Sequence, residues 1–417
     1  MIVLFSLLLA GCGGTVESTS EPIPLDQVDN ESLIEPSPTQ PFIFEPVGDF
    51  IQGIMPIDIE ALPSGNFLIA TRDGQIILLD SDLQALGHAQ IPATTFWDAG
   101  LVSVVHSNGR IYAALTLPES ACPSSEAFCN GIVRYDLDET ADNPLSNPQE
   151  VFNVSMVDRQ GQHNGGALIF DDNGDLILGV GDGFFPESAE EAEAHSDLAQ
   201  DDSSFLGKLI KVDPEGIDAP AIVAKGLRNP FTASRIPGLG MVVGDVGFET
   251  YEELNLYPFG GPYLNFGWPL EEGPKAGSLF SQPIGGFDHC DPTNQDADPS
   301  GHDASKSIAV KRHAGVVHEC GSEIITAAGF YEGQEPDPYG GQLDRTLIYA
   351  AAYYGYIRGI TIDDQGVPSN DRHLAHFPGV TSFTVGQDGH LYGVSIFASN
   401  QVLKMIPNPE HEESDLP

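Results

Sequence analysis

The stretch NGDLILG, Asn173–Gly179, is a tight-turn dipeptide followed by an apolar run. Asn-Gly favours the turn of a β-hairpin because both residues tolerate a positive φ, and the aliphatic residues after it favour a strand. The same local pattern occurs six times along the chain. The copies are SGNFLIA from Ser64, NGRIYAA from Asn108, NGDLILG from Asn173, GLGMVVG from Gly238, DRTLIYA from Asp344 and DGHLYGV from Asp388.

Spaced copies of one hairpin signal indicate radial repetition, with one strand pair in each blade. The sequence therefore predicts an all-β fold, a six-bladed β-propeller with loop insertions on one face. The 46 glycines and 32 prolines agree with many turns. The alternative is a pair of β-sandwiches, which would need two separate cores, whereas the repeats continue to the C-terminus without a linker.

The charge of the chain excludes some partners. There are 61 acidic and 17 basic residues, for a formal net charge of -44. Nucleic-acid binding requires a basic face, and anionic membranes repel this surface. We therefore expect no nucleic-acid partner and membrane contact only through a lipid anchor. Most of the excess acid is interpreted as solvation, with a few residues left as calcium ligands.

The N-terminus reads MIVLFSLLLAGCGG, an apolar run that is too short to span a bilayer and is typical of a secretory signal. Leu-Ala-Gly-Cys resembles the bacterial lipobox, although no Lys or Arg precedes the run. We expect lipidation at Cys12 and a place in the bacterial cell envelope, periplasmic or at the cell surface, and otherwise secretion. The predicted divisions are a signal and lipobox at 1–12, a disordered tether at 13–41, the propeller at 42–406 and an acidic tail at 407–417.

Four further cysteines suggest two disulfides in an exported chain. Cys122 and Cys129 bracket the loop CPSSEAFC, and Cys290 and Cys320 bracket a polar insertion. Their spacing does not match that of a zinc site.

Glycine-rich motifs follow one another through residues 160–273. In chain order they are HNGG from His163, GDG from Gly181, GKL from Gly207, GLRNP from Gly226, GDVG from Gly244 with EELN from Glu252, and NFGWP from Asn265. This order closely resembles the glucose/sorbosone dehydrogenase family. That family includes soluble sugar dehydrogenases that use pyrroloquinoline quinone (PQQ), and hedgehog-interacting-type proteins.

The resemblance implies a role for each matching position. His163 would be the general base that takes the proton from the anomeric hydroxyl of a sugar, and Asp182 would hold it. Arg228 and Asn229 would contact the quinone, and Arg228 would also stabilise the charge that develops on it. Asp98 falls where the family has a polar cofactor-binding residue.

The resemblance also implies a late cofactor-binding residue and two kinds of calcium ligand. Arg358 lies near the place of a family lysine, where Tyr354 stands in this chain. Calcium would bind the carbonyl groups of Gly247 and Phe248, and a structural calcium would bind the adjacent acids Glu252 and Glu253.

The roles of the histidine and the carboxylate also follow from their chemistry, without reference to the family. Hydride leaves a carbon readily only when the proton of its hydroxyl group is removed, and histidine suits that task. A carboxylate on the other ring nitrogen fixes the tautomer. Because the ends of a hairpin come side by side, His163 and Asp182 are expected to be neighbours although 19 residues apart.

Each position also has a structural interpretation. His163 could cap a strand end, Asp182 could be an Asx-turn residue, and Arg228 could be an ion-pair partner. The pair Glu252–Glu253 could be a solvated strand end. Trp268 and Pro269 are interpreted as packing residues rather than substrate contacts.

The sequence departs from the quinone enzymes in its late segments, AAYYGYIRG and HFPGVTSFTVGQDG, where the second lacks the expected pair of arginines. Ala167 follows HNGG where the sugar dehydrogenases often have arginine. These departures favour the sorbosone and hedgehog-interacting branch.

The main functional hypothesis is a PQQ- and calcium-dependent oxidation of a sugar, polyol or related aldehyde, with an external electron acceptor. The alternatives are a non-enzymatic calcium-containing binding propeller that has lost the quinone, and a calcium-dependent hydrolase similar to a lactonase.

Overall fold

Six sheets, antiparallel apart from one parallel pair, surround a central axis in this computed structural model, which confirms the predicted six-bladed β-propeller. Each sheet is one blade, and the innermost strands of neighbouring blades contact each other around the ring. The structure describes residues 40–49, 55–96, 98–122, 128–156, 162–183, 197–247, 251–269, 307–312, 325–351, 355–396 and 401–411.

The first strand of the chain stands apart from the blade that follows it. It is β1 (Phe42–Asp49), and blade 1 is β2 (Pro56–Ala61), β3 (Phe67–Thr71), β4 (Gln75–Leu79) and β5 (Ala85–Gln90). Blade 2 is β6 (Leu101–Ser107), β7 (Arg110–Thr116), β8 (Cys129–Leu137) and β9 (Leu145–Ser155). A 3-10 helix, Glu119–Ala121, lies between β7 and β8.

Blade 3 differs from the others because it has a fifth strand, which comes from a later part of the chain. Its strands are β10 (Gly165–Phe170), β11 (Leu176–Val180), β12 (Lys208–Val212) and β13 (Ala221–Lys225), and a short helix α1 (Asp197–Gln200) precedes β12. Blade 4 contains β14 (Pro230–Ile236), β15 (Gly240–Asp245) and β16 (Tyr251–Tyr257). Then come β17 (Leu264–Asn265), which is parallel to β13 in blade 3, and β18 (Ser307–Arg312), which completes blade 4.

The last two blades complete the ring. Blade 5 is β19 (Ile325–Tyr331), β20 (Thr346–Ala351), β21 (Tyr356–Ile362) and β22 (Pro368–His376). Blade 6 contains β23 (Val380–Val385), β24 (Leu391–Ser395) and β25 (Gln401–Pro407), with β1 as its outermost strand. Phe42 of β1 pairs with Pro407 of β25, so both ends of the chain close the same blade.

The six repeated motifs have one structural role. Each forms the turn between the innermost and second strands of a blade and then the second strand itself. The motifs therefore located every blade. They did not reveal that each blade has a further outer pair, because outer strands such as β5 are largely exposed and carry no apolar run.

The apolar core is a ring rather than a single centre. Six buried clusters are present, and each fills the space between two neighbouring blades. The second strands are buried on both faces; all five residues of β3 and of β11 are buried. This burial explains why the second strands read as continuous apolar runs rather than as alternating patterns.

Cys122 and Cys129 form a disulfide in blade 2, as the sequence predicts. Cys12, Cys290, Cys320 and residues 13–39 of the predicted tether lie outside the described residues, whereas Gln40 and Pro41 at its end are described. Within the described part of the chain, no helix is long and apolar enough to cross a membrane. The predicted tail begins with ordered residues, because Asn408 donates hydrogen bonds to the carbonyl oxygens of Gln40 and Pro41.

Candidate active site

His163 lies in the turn that leads into β10, the innermost strand of blade 3. Its φ is +48°, in the left-handed region, and only 3% of the residue is exposed. This conformation costs a residue with a Cβ about 1–2 kcal/mol, so surrounding contacts must hold it. One of them is the His163 N–H, which donates to Asp98 Oδ2 at 3.2 Å.

Asp182 follows β11, the strand that pairs with β10, so the two ends of this hairpin meet. Nδ1 of His163 lies 2.7 Å from Oδ1 of Asp182, and both residues are buried. The N–H of Asp182 donates to the Arg228 carbonyl at 2.8 Å, which ties the carboxylate to the next blade. The structure thus brings together the base and carboxylate proposed from sequence.

Gly181 permits this close approach of the two hairpin ends. A Cβ at this position would lie 1.9 Å from the His163 carbonyl oxygen and 2.6 Å from its carbonyl carbon. The glycine of the GDG motif is therefore required by the space that His163 occupies, not by an unusual φ.

Arg228 is 1% exposed and turns its guanidinium toward the GDVG segment of blade 4. Its Nη1 donates to the carbonyls of Val246 at 3.0 Å and Gly247 at 2.7 Å. The side chain of its neighbour Asn229 accepts the Gly165 N–H at 3.0 Å, directly after the His163 turn. The predicted cofactor residues Arg228 and Asn229 therefore adjoin the turn that carries His163.

Asp245, which sequence reasoning did not select, organises the Arg-Asn turn. Its carboxylate accepts the N–H of Arg228 at 3.1 Å and of Asn229 at 2.7 Å. Burial raises the pKa of Asp245 well above its usual range, and the negative charge of Glu253 adds to this effect. The signal for this role was the aspartate of GDVG, placed at the end of an inner hairpin.

Trp268 is interpreted from sequence as a packing residue, and the structure adds a hydrogen bond to the packing. Its indole Nε1 donates to Asp182 Oδ2 at 2.9 Å. The Arg228 guanidinium carbon lies 5.5 Å from the centroid of its ring, within range of a cation–π contact. The indole therefore touches both the carboxylate and the cation of the site.

Asp98 and Arg72 add a second pair of charges. Burial raises the pKa of Asp98, and the nearby charges of His163, Arg72 and Arg228 offset part of that rise. Burial lowers the pKa of Arg72, whose Nε donates to the Ala99 carbonyl at 3.0 Å. Asp98, which the sequence predicts to bind the cofactor, thus lies beside His163. The sequence contains no motif that points to Arg72.

The residues predicted to bind calcium are engaged in other bonds. Glu252 is fully buried, and its two oxygens accept the N–H groups of Gly247 and Ile325 at 3.2 and 3.1 Å. The Gly247 carbonyl receives Arg228, and Glu253 receives the Asn255 amide at 2.9 Å. Each of these oxygens thus accepts a hydrogen bond from within the chain.

Calcium binding at this place stays a prediction. Phe248 lies outside the described residues. Among the residues that are described, no group of three or more His, Cys, Asp or Glu side chains is arranged to hold a metal ion. The mechanism below therefore uses no calcium.

Arg358, the predicted late-blade cofactor residue, lies on β21, the third strand outward in blade 5. Its Nε is 2.9 Å from Asp371 Oδ1, and Asp371 also receives the Tyr349 hydroxyl. The Asp371 side chain is fully buried. An internal ion pair of blade 5 accounts for Arg358; Tyr354 lies outside the described residues.

The family model for Glucose / Sorbosone dehydrogenase matches residues 54–281. Because this is more than half of the chain, the chain belongs to the glucose/sorbosone dehydrogenase family. The match contains four residues of the candidate site, which are His163, Asp182, Arg228 and Trp268.

Two plant proteins are similar in sequence. The HIPL1 protein of Arabidopsis thaliana is 25% identical over 298 residues, 55% of this chain and 39% of that protein. The HIPL2 protein of the same plant is 28% identical over 308 residues, 59% of this chain and 40% of that protein. The matched region thus spans about two-fifths of the length of these relatives.

Solved structures share the fold. A Thermus thermophilus putative oxidoreductase (glucose dehydrogenase) has a TM-score of 0.62 at 21% identity, over 88% of this chain and all of that one. The PQQ-bound aldose sugar dehydrogenase of Streptomyces coelicolor has a TM-score of 0.62 at 19% identity, over 89% of this chain and all of that one. At these identities the likeness is evidence for the propeller alone.

Proposed function

We propose that the protein is a PQQ-dependent dehydrogenase that oxidises a sugar, polyol or related aldehyde, with His163 as the general base. The observation that carries the proposal is the 2.7 Å contact between His163 Nδ1 and Asp182 Oδ1 in a turn whose backbone is held in the left-handed region. A buried histidine oriented by a carboxylate is the arrangement that general-base catalysis requires.

The donor set beside His163 fits a planar, polyanionic quinone. Arg228 and Arg72 supply two guanidinium groups, which suit carboxylate and carbonyl oxygens. Asn229 supplies an amide, and the glycines of HNGG and GDG allow a ligand to approach the backbone. When bound, PQQ would supply the hydride acceptor, which an external electron acceptor would reoxidise.

His163 and Asp182 would accept and hold the proton of the substrate hydroxyl. With the Nδ1–H of His163 donated to Asp182, Nε2 keeps its lone pair and takes the proton of the substrate hydroxyl. Asp182 then stabilises the imidazolium that forms. Arg228, fixed by two carbonyl groups, would supply positive charge to stabilise the negative charge that develops on the acceptor.

Dye reduction by the reconstituted protein tests this proposal. The purified protein is incubated with PQQ, with and without calcium, and assayed with a panel of aldoses and polyols. His163→Ala is expected to abolish turnover. The matched control is His390→Ala, because His390 also pairs with an aspartate, Asp388, at 3.0 Å but lies in blade 6. Absence of PQQ binding at saturating cofactor and calcium would contradict the proposal.

One observation favours a second candidate, a binding propeller without quinone. The innermost strands of blades 5 and 6 read ITAAGFY and VTSFTV, with no Lys or Arg to hold cofactor carboxylates. A protein of this kind would bind a small sugar without reducing dye. Calorimetry with PQQ and with the sugar panel distinguishes the two candidates.

We propose further that the protein is anchored in a bacterial cell envelope through lipidated Cys12. The apolar N-terminal run and the Leu-Ala-Gly-Cys sequence support this location. Incorporation of labelled palmitate that is lost in Cys12→Ser is the expected result. Equal labelling of both proteins would contradict it.

A further inference from the structure

Two hydrogen bonds reach the carboxylate of Asp182 from different directions. Oδ1 faces His163 Nδ1 at 2.7 Å, and Oδ2 accepts the indole N–H of Trp268 at 2.9 Å. The indole proton has no alternative tautomer, because indole nitrogen is a donor only. Trp268 therefore always presents a donor to Asp182, whatever the protonation state of His163.

A donor on each oxygen restricts rotation of the carboxyl group about its Cβ–Cγ bond. Carboxylate rotation about this bond is otherwise soft, since the torsion is broad and roughly two-fold. We propose that Trp268 is a positioning residue: its indole N–H fixes Asp182 so that His163 keeps its proton on Nδ1 and Nε2 stays free as the base. This inference rests on the proposed function for its role in catalysis.

A short strand, β17, helps to fix the backbone near Trp268. The fifth strand of blade 3, β17, pairs in parallel with β13, with Asn265 opposite Lys225. The Trp268 N–H then donates to the Gly226 carbonyl at 3.0 Å, and the Trp268 carbonyl accepts the Gln200 amide at 2.6 Å. The backbone on both sides of the indole is thus fixed to the same blade that carries His163.

Close packing reinforces this attachment. A Cβ on Gly226 would lie 2.3 Å from Asn265 Oδ1 and 2.6 Å from the Gly267 nitrogen, so the two segments approach as near as glycine allows. Asn265 Oδ1 in turn accepts the Gly267 N–H at 3.0 Å. The segment is therefore too closely held to swing the indole away without opening the β13–β17 pair.

Nitrogen NMR of the cofactor-free protein tests the inference directly. At about pH 8.5 an unperturbed imidazole is neutral, and its two nitrogens report the tautomer. His163→Gln assigns the resonance. The native protein is expected to show the Nδ1–H tautomer of His163, and Trp268→Phe is expected to add a measurable fraction of the Nε2–H tautomer.

The matched control is Tyr263→Phe, a nearby aromatic residue that also donates a hydrogen bond to a carboxylate, that of Asp202 at 2.7 Å. This variant is expected to leave the His163 tautomer unchanged. In an Asp182→Ala background, Trp268→Phe is expected to cause no further change at His163, because the indole acts through Asp182.

The indole signal gives an independent reading that does not require Trp268 to be replaced. The chain has two tryptophans, so two indole N–H resonances are expected, and the one that remains in Trp97→Phe belongs to Trp268. Asp182→Ala is expected to shift the Trp268 resonance upfield by removing its acceptor. This reading remains available if Trp268→Phe fails to fold.

In the reconstituted enzyme, Trp268→Phe is expected to lower kcat by roughly 10-fold or more with KM unchanged, the size expected for loss of a charge-assisted hydrogen bond. An unchanged tautomer in Trp268→Phe, or an unchanged indole resonance in Asp182→Ala, overturns the inference. If the tautomer changes in Trp268→Phe but the native protein does not oxidise sugar, the orientation of Asp182 by Trp268 stands and the proposed function fails.

Discussion

Substitution of Gly181 by alanine should displace the base without changing any polar group of the site. The added Cβ would lie 1.9 Å from the His163 carbonyl oxygen, whereas Cβ contacts shorter than 3.0 Å are essentially never seen. The two groups must therefore separate by about 1.1 Å or more. The backbone at Gly181 does not have the left-handed φ that would add strain of its own.

A displacement of this size has two measurable consequences. Overpacking of a closely fitted site costs about 1–3 kcal/mol of unfolding free energy. Misplacement of a catalytic group by about 1 Å lowers the rate by roughly 100-fold. Urea unfolding measures the first effect, and dye reduction per folded molecule measures the second.

Gly174→Ala is the control, at the turn that closes the other end of the same hairpin. Gly174 has a φ of +88° and its added Cβ would meet no atom within 4 Å. This variant is expected to lose about 1–2 kcal/mol through backbone strain alone and to retain full turnover. If Gly181→Ala keeps native turnover, or if both variants lose turnover equally, the steric argument for His163 is wrong.

Three further predictions concern stability. Arg358→Met should cost about 3–5 kcal/mol of unfolding free energy, because it leaves Asp371 buried without its cation. The PQQ affinity per folded molecule should stay the same, and a selective loss of that affinity would contradict the structural role of Arg358. Burial raises the pKa of Asp58 to about 6, and burial with the charge of Asp58 raises the pKa of Glu60 to about 8. The folded state binds these protons more tightly than the unfolded chain, so unfolding free energy should fall as pH rises from about 4 to about 8, and Glu60→Gln should flatten that slope in urea titrations. Replacement of Cys122 and Cys129 by serine should lower the unfolding free energy by about 2 kcal/mol, since the loop that the disulfide closes is short. A loss near zero in urea unfolding would contradict this argument from loop closure.

The number of blades was readable because each second strand is buried on both faces. Such strands require continuous apolar residues, and they follow a turn with its own residue preferences, as in NGDLILG. Outer strands such as β5 face solvent on much of their surface, so their sequences carry little pattern. The fifth strand of blade 3 has two residues, too few for any periodicity to appear.

The candidate site also combines a contact that local sequence predicts with contacts that depend on distant parts of the chain. His163 and Asp182 lie on one hairpin, so local pairing was enough to predict that they meet. Trp268 is 86 residues from Asp182, and its contact depends on how β17 joins a blade that ended long before. Arg358 is a candidate because of its position along the chain, and its contact with the buried Asp371 of the neighbouring strand could not be inferred without the pairing of β21 with β22.

The junction of β1 with β25 imposes an order on the assembly of the molecule. Among the described strands, β1 pairs with β25 and with no other, so blade 6 stays incomplete until β25 has been synthesised. Until then β24 and β1 each lack their shared neighbour and present an open edge, and an open edge pairs readily with other chains. Pairing of β25 with β24 and β1 therefore removes these two open edges. Formation of this last strand lowers the risk that the chain associates with other chains during synthesis.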